Sequence, residues 1–282
     1  MTCHGIGALL LRGGGGGGKR RCVISVAVDG GDRALFSPLP SETGAMPPLP
    51  RARARRPPRA AAAAAAPIPA PSRRALATDA PVIVATKALI AAAGRPDVLS
   101  LAQGVVHWAP PGAAVAAAAS AGAGRGAHLY GPAAGSPELA DAILQDLKTG
   151  IGLGPGHEAM VTAGANQGFV NVVLSTLDAN DKAILFAPYY FNHLMALQMT
   201  GGGARVALGG TDPETLLPDV AWLEAQCASP DPPKLAVLVN PCNPTGAVLP
   251  QGLIDRAVAA TAAAGCWLVL DETYAPFLYG DG

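Results

Sequence analysis

Charged side chains are scarce in this 282-residue chain: Lys, Arg, Asp and Glu together make up 14% of it, while half of the residues are hydrophobic. Such a composition excludes a chain that is disordered throughout, because disorder of that kind needs high charge and few apolar side chains. Long hydrophobic runs are missing as well. Pro, Gly or a charged residue interrupts every apolar stretch before it reaches the roughly 18 to 20 residues that cross a bilayer, which excludes a membrane-spanning helix. Cysteine is rare and unpaired in pattern. The five cysteines (Cys3, Cys22, Cys227, Cys242 and Cys266) are odd in number and form no CxxC, so neither a disulfide framework nor a zinc site is expected, and a reducing compartment is.

Net charge is also absent, since 20 basic residues balance 20 acidic ones. The balance averages two unlike parts. Residues 1–77 carry twelve Lys or Arg against three acids, or +9, and residues 78–282 carry the opposite, −9. An acidic globular body behind a basic arm is the expected organisation, and the body is long enough to bury a sizeable core.

The arm holds six consecutive glycines (13–18), seven consecutive alanines (60–66) and an Arg/Pro stretch over 47–59, with few bulky apolar residues outside 6–11 and 24–28. Such a segment buries too little surface to offset chain entropy and is expected to lack a fixed fold. Two readings of it stand side by side: a disordered tail or over-extended gene model, and an organellar transit peptide, since Arg- and Ala-rich, acid-poor termini serve plastid and mitochondrial import. The second implies plastid or mitochondrion, the first the cytoplasm. No aromatics interleave with the arginines, so nucleic-acid binding is not expected. Residues 13–19 superficially resemble a phosphate-binding P-loop, but Arg20 stands where that motif needs Ser or Thr, and no strand is expected before it.

Beyond residue 158 short apolar runs alternate with longer helical stretches. Strands are expected at 159–163, 183–187, 205–208, 235–240 and 267–271, and helices at 165–177, 192–200, 219–228 and 251–264. Upstream, 81–93, 113–121 and 137–150 read as helices and 99–111 as extended. Strand and helix in turn predict an α/β layer architecture with ligand residues at the carboxyl ends of the strands.

The polar motifs fall at those ends. Asn240-Pro241-Cys242-Asn243-Pro244-Thr245-Gly246 closes one strand, and two Asn-Pro pairs there force a sharply turned backbone with two amide side chains off the strand end. The next strand, 28 residues on from Asn243, ends in Asp271-Glu272-Thr273-Tyr274. Upstream, Val161-Thr162-Ala163-Gly164-Ala165-Asn166-Gln167-Gly168 runs from a strand through small residues into a helix, an arrangement that aims free N–H groups at an anion. Ala187-Pro188-Tyr189-Tyr190-Phe191-Asn192-His193 follows another strand end. Tyr130, Gly135 and Leu139 form a Y-x4-G-x3-L segment, and Leu101-Ala102-Gln103-Gly104-Val105-Val106-His107-Trp108 precedes it.

Together these motifs resemble the class I/II aminotransferases, pyridoxal-phosphate enzymes of the aspartate-aminotransferase fold. The resemblance spans about 78–282. It implies the N-terminal part of a fold-type-I large domain, a mostly parallel sheet flanked by helices. It implies that Asp271 pairs with the pyridine nitrogen of the cofactor, where a fixed carboxylate keeps that nitrogen protonated and the ring able to accept electrons. Asn243 and Tyr274 would hydrogen-bond the phenolic oxygen, Gly164, Ala165 and Asn166 would hold the phosphate, and Tyr190 (or Tyr189) would stack on the ring. Tyr130 would reach the phosphate of the partner in a homodimer, and Gly104 with Trp108 would lie near the substrate. His193 reads as structural. Ala140 replaces the arginine usual after Leu139.

The wording of these segments is similar to the plant methionine or aromatic-amino-acid aminotransferases, which implies transfer of an amino group between such an amino acid and a 2-oxo acid. A lyase or synthase on the same scaffold shares the motifs. The family's cofactor-bearing lysine sits in an S-x-S-K-type segment a few dozen residues after the D-x-x-Y. None of Lys19, Lys87, Lys148, Lys182 and Lys234 lies in one, and the sequence ends eight residues after Tyr274. No catalytic residue is therefore assigned in this chain, which is expected to be truncated and inactive by itself, a non-catalytic piece retaining part of the cofactor site.

Overall fold

The computed structural model of the chain describes residues 6–12, 22–28, 69–95, 97–102, 104, 108–200 and 205–278. Two strands, β1 (Ile6–Arg12) and β2 (Cys22–Val28), come first, followed by helices α1 (Arg73–Ala77), α2 (Val82–Ala92), α3 (Gly112–Ala123) and α4 (Pro137–Ile151). Strand and helix then alternate: β3 (His157–Thr162), α5 (Gly164–Thr176), β4 (Lys182–Phe186), α6 (Phe191–Thr200), β5 (Arg205–Gly209), α7 (Val220–Cys227), β6 (Leu235–Val239), α8 (Gln251–Ala263) and β7 (Trp267–Asp271). This is the α/β architecture that the sequence pattern predicts.

The strands form one sheet in the order β3-β2-β1-β7-β6-β4-β5. Among the described strands β1 alone opposes the rest, pairing antiparallel with both β2 and β7, whereas β2 with β3, β4 with β5 and β6, and β6 with β7 are parallel. Parallel strands covered on both faces read as unbroken apolar runs, and β4, β6 and β7 do so. Their side chains alternate between two cores. Ile184, Phe186, Ala236, Leu238, Leu268 and Leu270 join α4, α7 and α8 on one face through Ile143, Leu223 and Ala257. On the other face Ala183, Leu185, Leu235, Val237 and Val269 pack with Phe169, Val173 and Leu197 of α5 and α6.

Helix boundaries follow local chemistry. At α4 the Ser136 hydroxyl accepts the Leu139 N–H at 3.2 Å, Pro137 takes the first helical position, and Gly152 closes the helix with φ +68°. Asp219 caps α7 by accepting the Trp222 N–H at 2.9 Å. Helices α2 and α3 bury no residue in the core. The entry to α2 is tied to α6, where Gln198 receives the Asp79 N–H and donates to the Asp79 carboxylate, both at 2.9 Å.

The arm departs from expectation within its described residues. The stretch 1–77 is expected to lack a fixed fold, yet Ile6–Arg12 and Cys22–Val28 are strands inside the sheet and Arg73–Ala77 is a short helix capped by Ser72. The two strands are the arm's only runs of apolar and β-branched residues, and backbone pairing on both sides satisfies their N–H and C=O groups. A strand thus does precede the glycine tract, although Arg20 still stands where a P-loop needs a hydroxyl. Arm residues 1–5, 13–21 and 29–68, and His107, lie outside the described residues.

Candidate active site

Because β3, β4, β6 and β7 point the same way, the segments after them meet along one edge of the sheet. Asp271 is the last residue of β7 and is only 4% exposed. Its Oδ1 accepts the Thr273 N–H at 3.1 Å and the Thr273 hydroxyl at 2.7 Å, and its Oδ2 accepts His193 Nε2 at 3.0 Å. A carboxylate offers about four acceptor positions; among the described residues three donors fill three, leaving one for a further N–H. Burial by itself pushes the Asp271 carboxyl upward, but the His193 hydrogen bond and charge, with the two Thr273 donors, outweigh it and hold the group below its usual range. The neighbouring Glu272 is pushed up, by burial first and then by the charge of Asp271.

His193, which the sequence reads as structural, is buried here and also donates to Asp271. It lies on the first turn of α6, 2% exposed, with its ring 4.3 Å from that of Phe169 and edge-on to Tyr190 at 5.3 Å. Its Nδ1 is buried without a hydrogen-bond partner, and its Nε2 donates to Asp271. The available signal was its place three residues after Tyr190: an N-terminal helical turn brings those two side chains to one face, over the end of β7.

Of the two amides after β6, Asn243 donates from Nδ2 to Tyr274 Oη at 3.4 Å, joining two adjacent strand ends. Asn240 does not project into the site; its Oδ1 accepts the Leu249 N–H at 2.9 Å and its own N–H binds the Asp271 carbonyl at 2.8 Å. The turn that holds Asn243, from Cys242 to Ala247, is closed by Gly246 at φ +75°. Tyr189 and Tyr190 diverge. Tyr189 packs on the α5/α6 core and lines a small apolar cavity with Pro188, Val239 and Cys242, whereas Tyr190 stands against His193.

Gly164, Ala165 and Asn166 form the first turn of α5, whose N-cap residue Ala163 supplies no side-chain hydrogen bond. The Ala163 N–H is taken by Gln167 Oε1 at 2.6 Å, and the N–H groups of the first turn have no intrahelical acceptor. Gly164 has φ +85° and open space where a Cβ would stand, so nothing crowds an anion there. Strands β2 and β1 separate this turn from β7, so it flanks the Asp271 cluster without touching it. Tyr130 is fully exposed, away from the cluster. Gly104 has nothing within 4 Å of where a Cβ would stand and Trp108 is exposed; both precede α3.

A buried carboxylate with a vacant acceptor position, an amide and phenol paired beside it, and uncapped helix N–H groups along the same edge suit an aromatic nitrogen, an oxyanion and a phosphate. The family model for aminotransferase class I and II matches residues 96–282. The chain is 44% identical over 209 residues to aromatic aminotransferase ISS1 of Arabidopsis thaliana, covering 74% of this chain and 52% of that one. It is 31% identical over 213 residues to the aspartate/prephenate aminotransferase of Thermus thermophilus, covering 74% and 54%. The solved structure of the Thermus thermophilus aspartate aminotransferase with maleate superposes with a TM-score of 0.61 at 27% identity, covering 71% of this chain and 52% of that one. The chain spans about half the length of these relatives. It belongs to the class I and II aminotransferases, a family of pyridoxal-phosphate-dependent enzymes.

Proposed function

We propose that this edge of the sheet binds pyridoxal 5′-phosphate, and that the protein of which these residues form part transfers an amino group between an aromatic amino acid or methionine and a 2-oxo acid. The observation that carries the reading is Asp271, buried at a strand end with both oxygens oriented by His193 and Thr273 and one acceptor position to spare. When bound, the cofactor supplies an electron-accepting ring that stabilises negative charge on the substrate's α-carbon. Asp271 holds the proton on the ring nitrogen. Asn243 and Tyr274 donate to the phenolic oxygen, Tyr190 covers one face of the ring, and the N–H groups of Gly164, Ala165 and Asn166 take the phosphate. Gly104 and Trp108 would contact the substrate, and the likeness to an aromatic aminotransferase supports an aromatic donor. Exposed apolar side chains at Leu99, Leu101, Leu129 and Tyr130 support a homodimer in which Tyr130 serves the partner's phosphate.

Lys182 begins β4 and Lys234 precedes β6, both at the edge of the sheet opposite Asp271. This favours a second reading for the 282 residues themselves: they hold the cofactor without a covalent link and do not catalyse transfer. Titration of the chain with pyridoxal 5′-phosphate tests both. Saturable binding that dialysis reverses even after borohydride treatment is expected, with Asp271→Asn weakening it by about 10- to 100-fold, the worth of a charge-assisted hydrogen bond. No saturable binding sinks the cofactor site, and a reduced adduct on one lysine sinks the non-covalent reading.

A further inference from the structure

We infer that Asn192 is a positioning residue of the cofactor site, fixing the ring of Tyr190 by a hydrogen bond to its phenolic oxygen. The Asn192 Nδ2 donates to Tyr190 Oη at 2.7 Å, and both residues are half-buried. Side chains two apart do not meet on a regular helix. These two meet because Tyr190 precedes the helix, its carbonyl accepting the His193 N–H at 3.0 Å, while Asn192 is already in the first turn of α6 and reaches back. The arrangement is therefore specific to this strand-to-helix junction.

The consequence is mechanical. A tyrosine is held at Cβ by its backbone and swings about two torsions. A bond at the far oxygen makes a second point of attachment and fixes the plane of the ring. Contacts on the ring itself agree with a fixed plane: it stands edge-on to His193 at 85° and tilted against Phe191 with centroids 5.1 Å apart. His193 in turn holds Asp271. One short segment thus sets both the carboxylate that meets the edge of a bound ring and the aromatic that covers its face, with Asn192 responsible for the second. Pre-set contacts of this kind raise affinity by removing the ordering cost at binding.

The inference rests on the cofactor reading above, and the test separates the two. The probe is pyridoxamine 5′-phosphate, whose amine cannot condense with a lysine, titrated into the full chain by calorimetry and by the induced circular dichroism of the bound ring. Wild-type binding reports on the site as a whole. Asn192→Leu is expected to weaken binding by about three- to tenfold, the worth of one neutral hydrogen bond, and to diminish the induced dichroism. Tyr190→Phe is expected to do the same, and Asn192→Leu to add nothing in the Tyr190→Phe background, because the bond is already gone. Asn192→Ala replaces Asn192→Leu if the latter fails to fold by far-ultraviolet dichroism. Unchanged binding and dichroism, or an equal loss in both backgrounds, overturns the positioning role. A wild-type chain that binds no probe overturns the cofactor reading, and this inference with it.

Discussion

At the scale of single residues the site turns on a buried carboxylate and its donors. Replacing His193 by Leu keeps an apolar side chain beside Phe169 but withdraws a donor from Asp271. A buried acceptor left short of a partner costs about 1–3 kcal/mol, which urea denaturation at neutral pH should register as a lower midpoint with an unchanged slope. The sign of the pH dependence follows from the direction of the Asp271 shift. Its carboxyl is held below the usual range, so the stabilisation is complete above the unfolded value of about 3.9 and fades as pH falls through the folded value. The difference between wild type and His193→Leu should therefore shrink below about pH 4; a difference that grows there would refute the pairing. Asp271, Asn243 and Tyr274 were legible in the sequence because each follows directly from a strand end. The part of His193 was not, since a lone histidine on a helix carries no sign of what it faces. The role of Asn240 was not legible either: a terminal amide looks alike whether it meets a ligand or, as here, the Leu249 backbone.

At the scale of elements, the turn into α4 shows how backbone and packing combine. Gly135 has φ +96°, and a Cβ built on it would stand 2.6 Å from Cβ of Val161 in β3. Its N–H binds the Pro132 carbonyl at 3.0 Å, and the carbonyl of the preceding residue, Ala134, accepts the Val161 N–H at 2.9 Å. Gly135→Ala meets both an unfavourable backbone region and a backbone-attached clash, so a loss of about 2–4 kcal/mol is expected in chemical denaturation. Ser136→Ala, which removes only the cap of α4, should cost about 1 kcal/mol. Equal effects would argue against the close approach to β3. The periodicity of α4, α5, α7 and α8 was readable because each has a definite cap or break and an apolar face, and expected and observed bounds differ by a residue or two. Missing from the sequence reading was α1, five residues long and without a buried side chain.

For the molecule as a whole, the unexpected feature is that strands from the basic arm lie in the middle of the sheet, between β3 and β7. Leu10 pairs with Leu270 and Leu9 with Asp271, so β1 runs beside the strand that ends in the site. Leu10→Pro removes a backbone donor and bends β1. Hydrogen exchange should then speed up at the amides of β7 and β3 while those of β4 and α8 keep their protection; unchanged exchange in β7 would place the hairpin outside the sheet. The charge split of +9 and −9 gave no hint of this, because strand pairing is made by backbone groups whatever the side-chain charge, and Arg12 itself pairs with Leu268. The sequence by itself determined the alternation of strand and helix, the family, and the strand-end positions of Asp271, Asn243, Tyr274 and Gly164, since periodicity and turn chemistry are local. Only the tertiary structure decided which of these side chains meet, that His193 faces Asp271, that Asn192 grips Tyr190, and that arm and body share one sheet, because those contacts join residues far apart in the chain or hang on the direction of a side chain that local pattern leaves open.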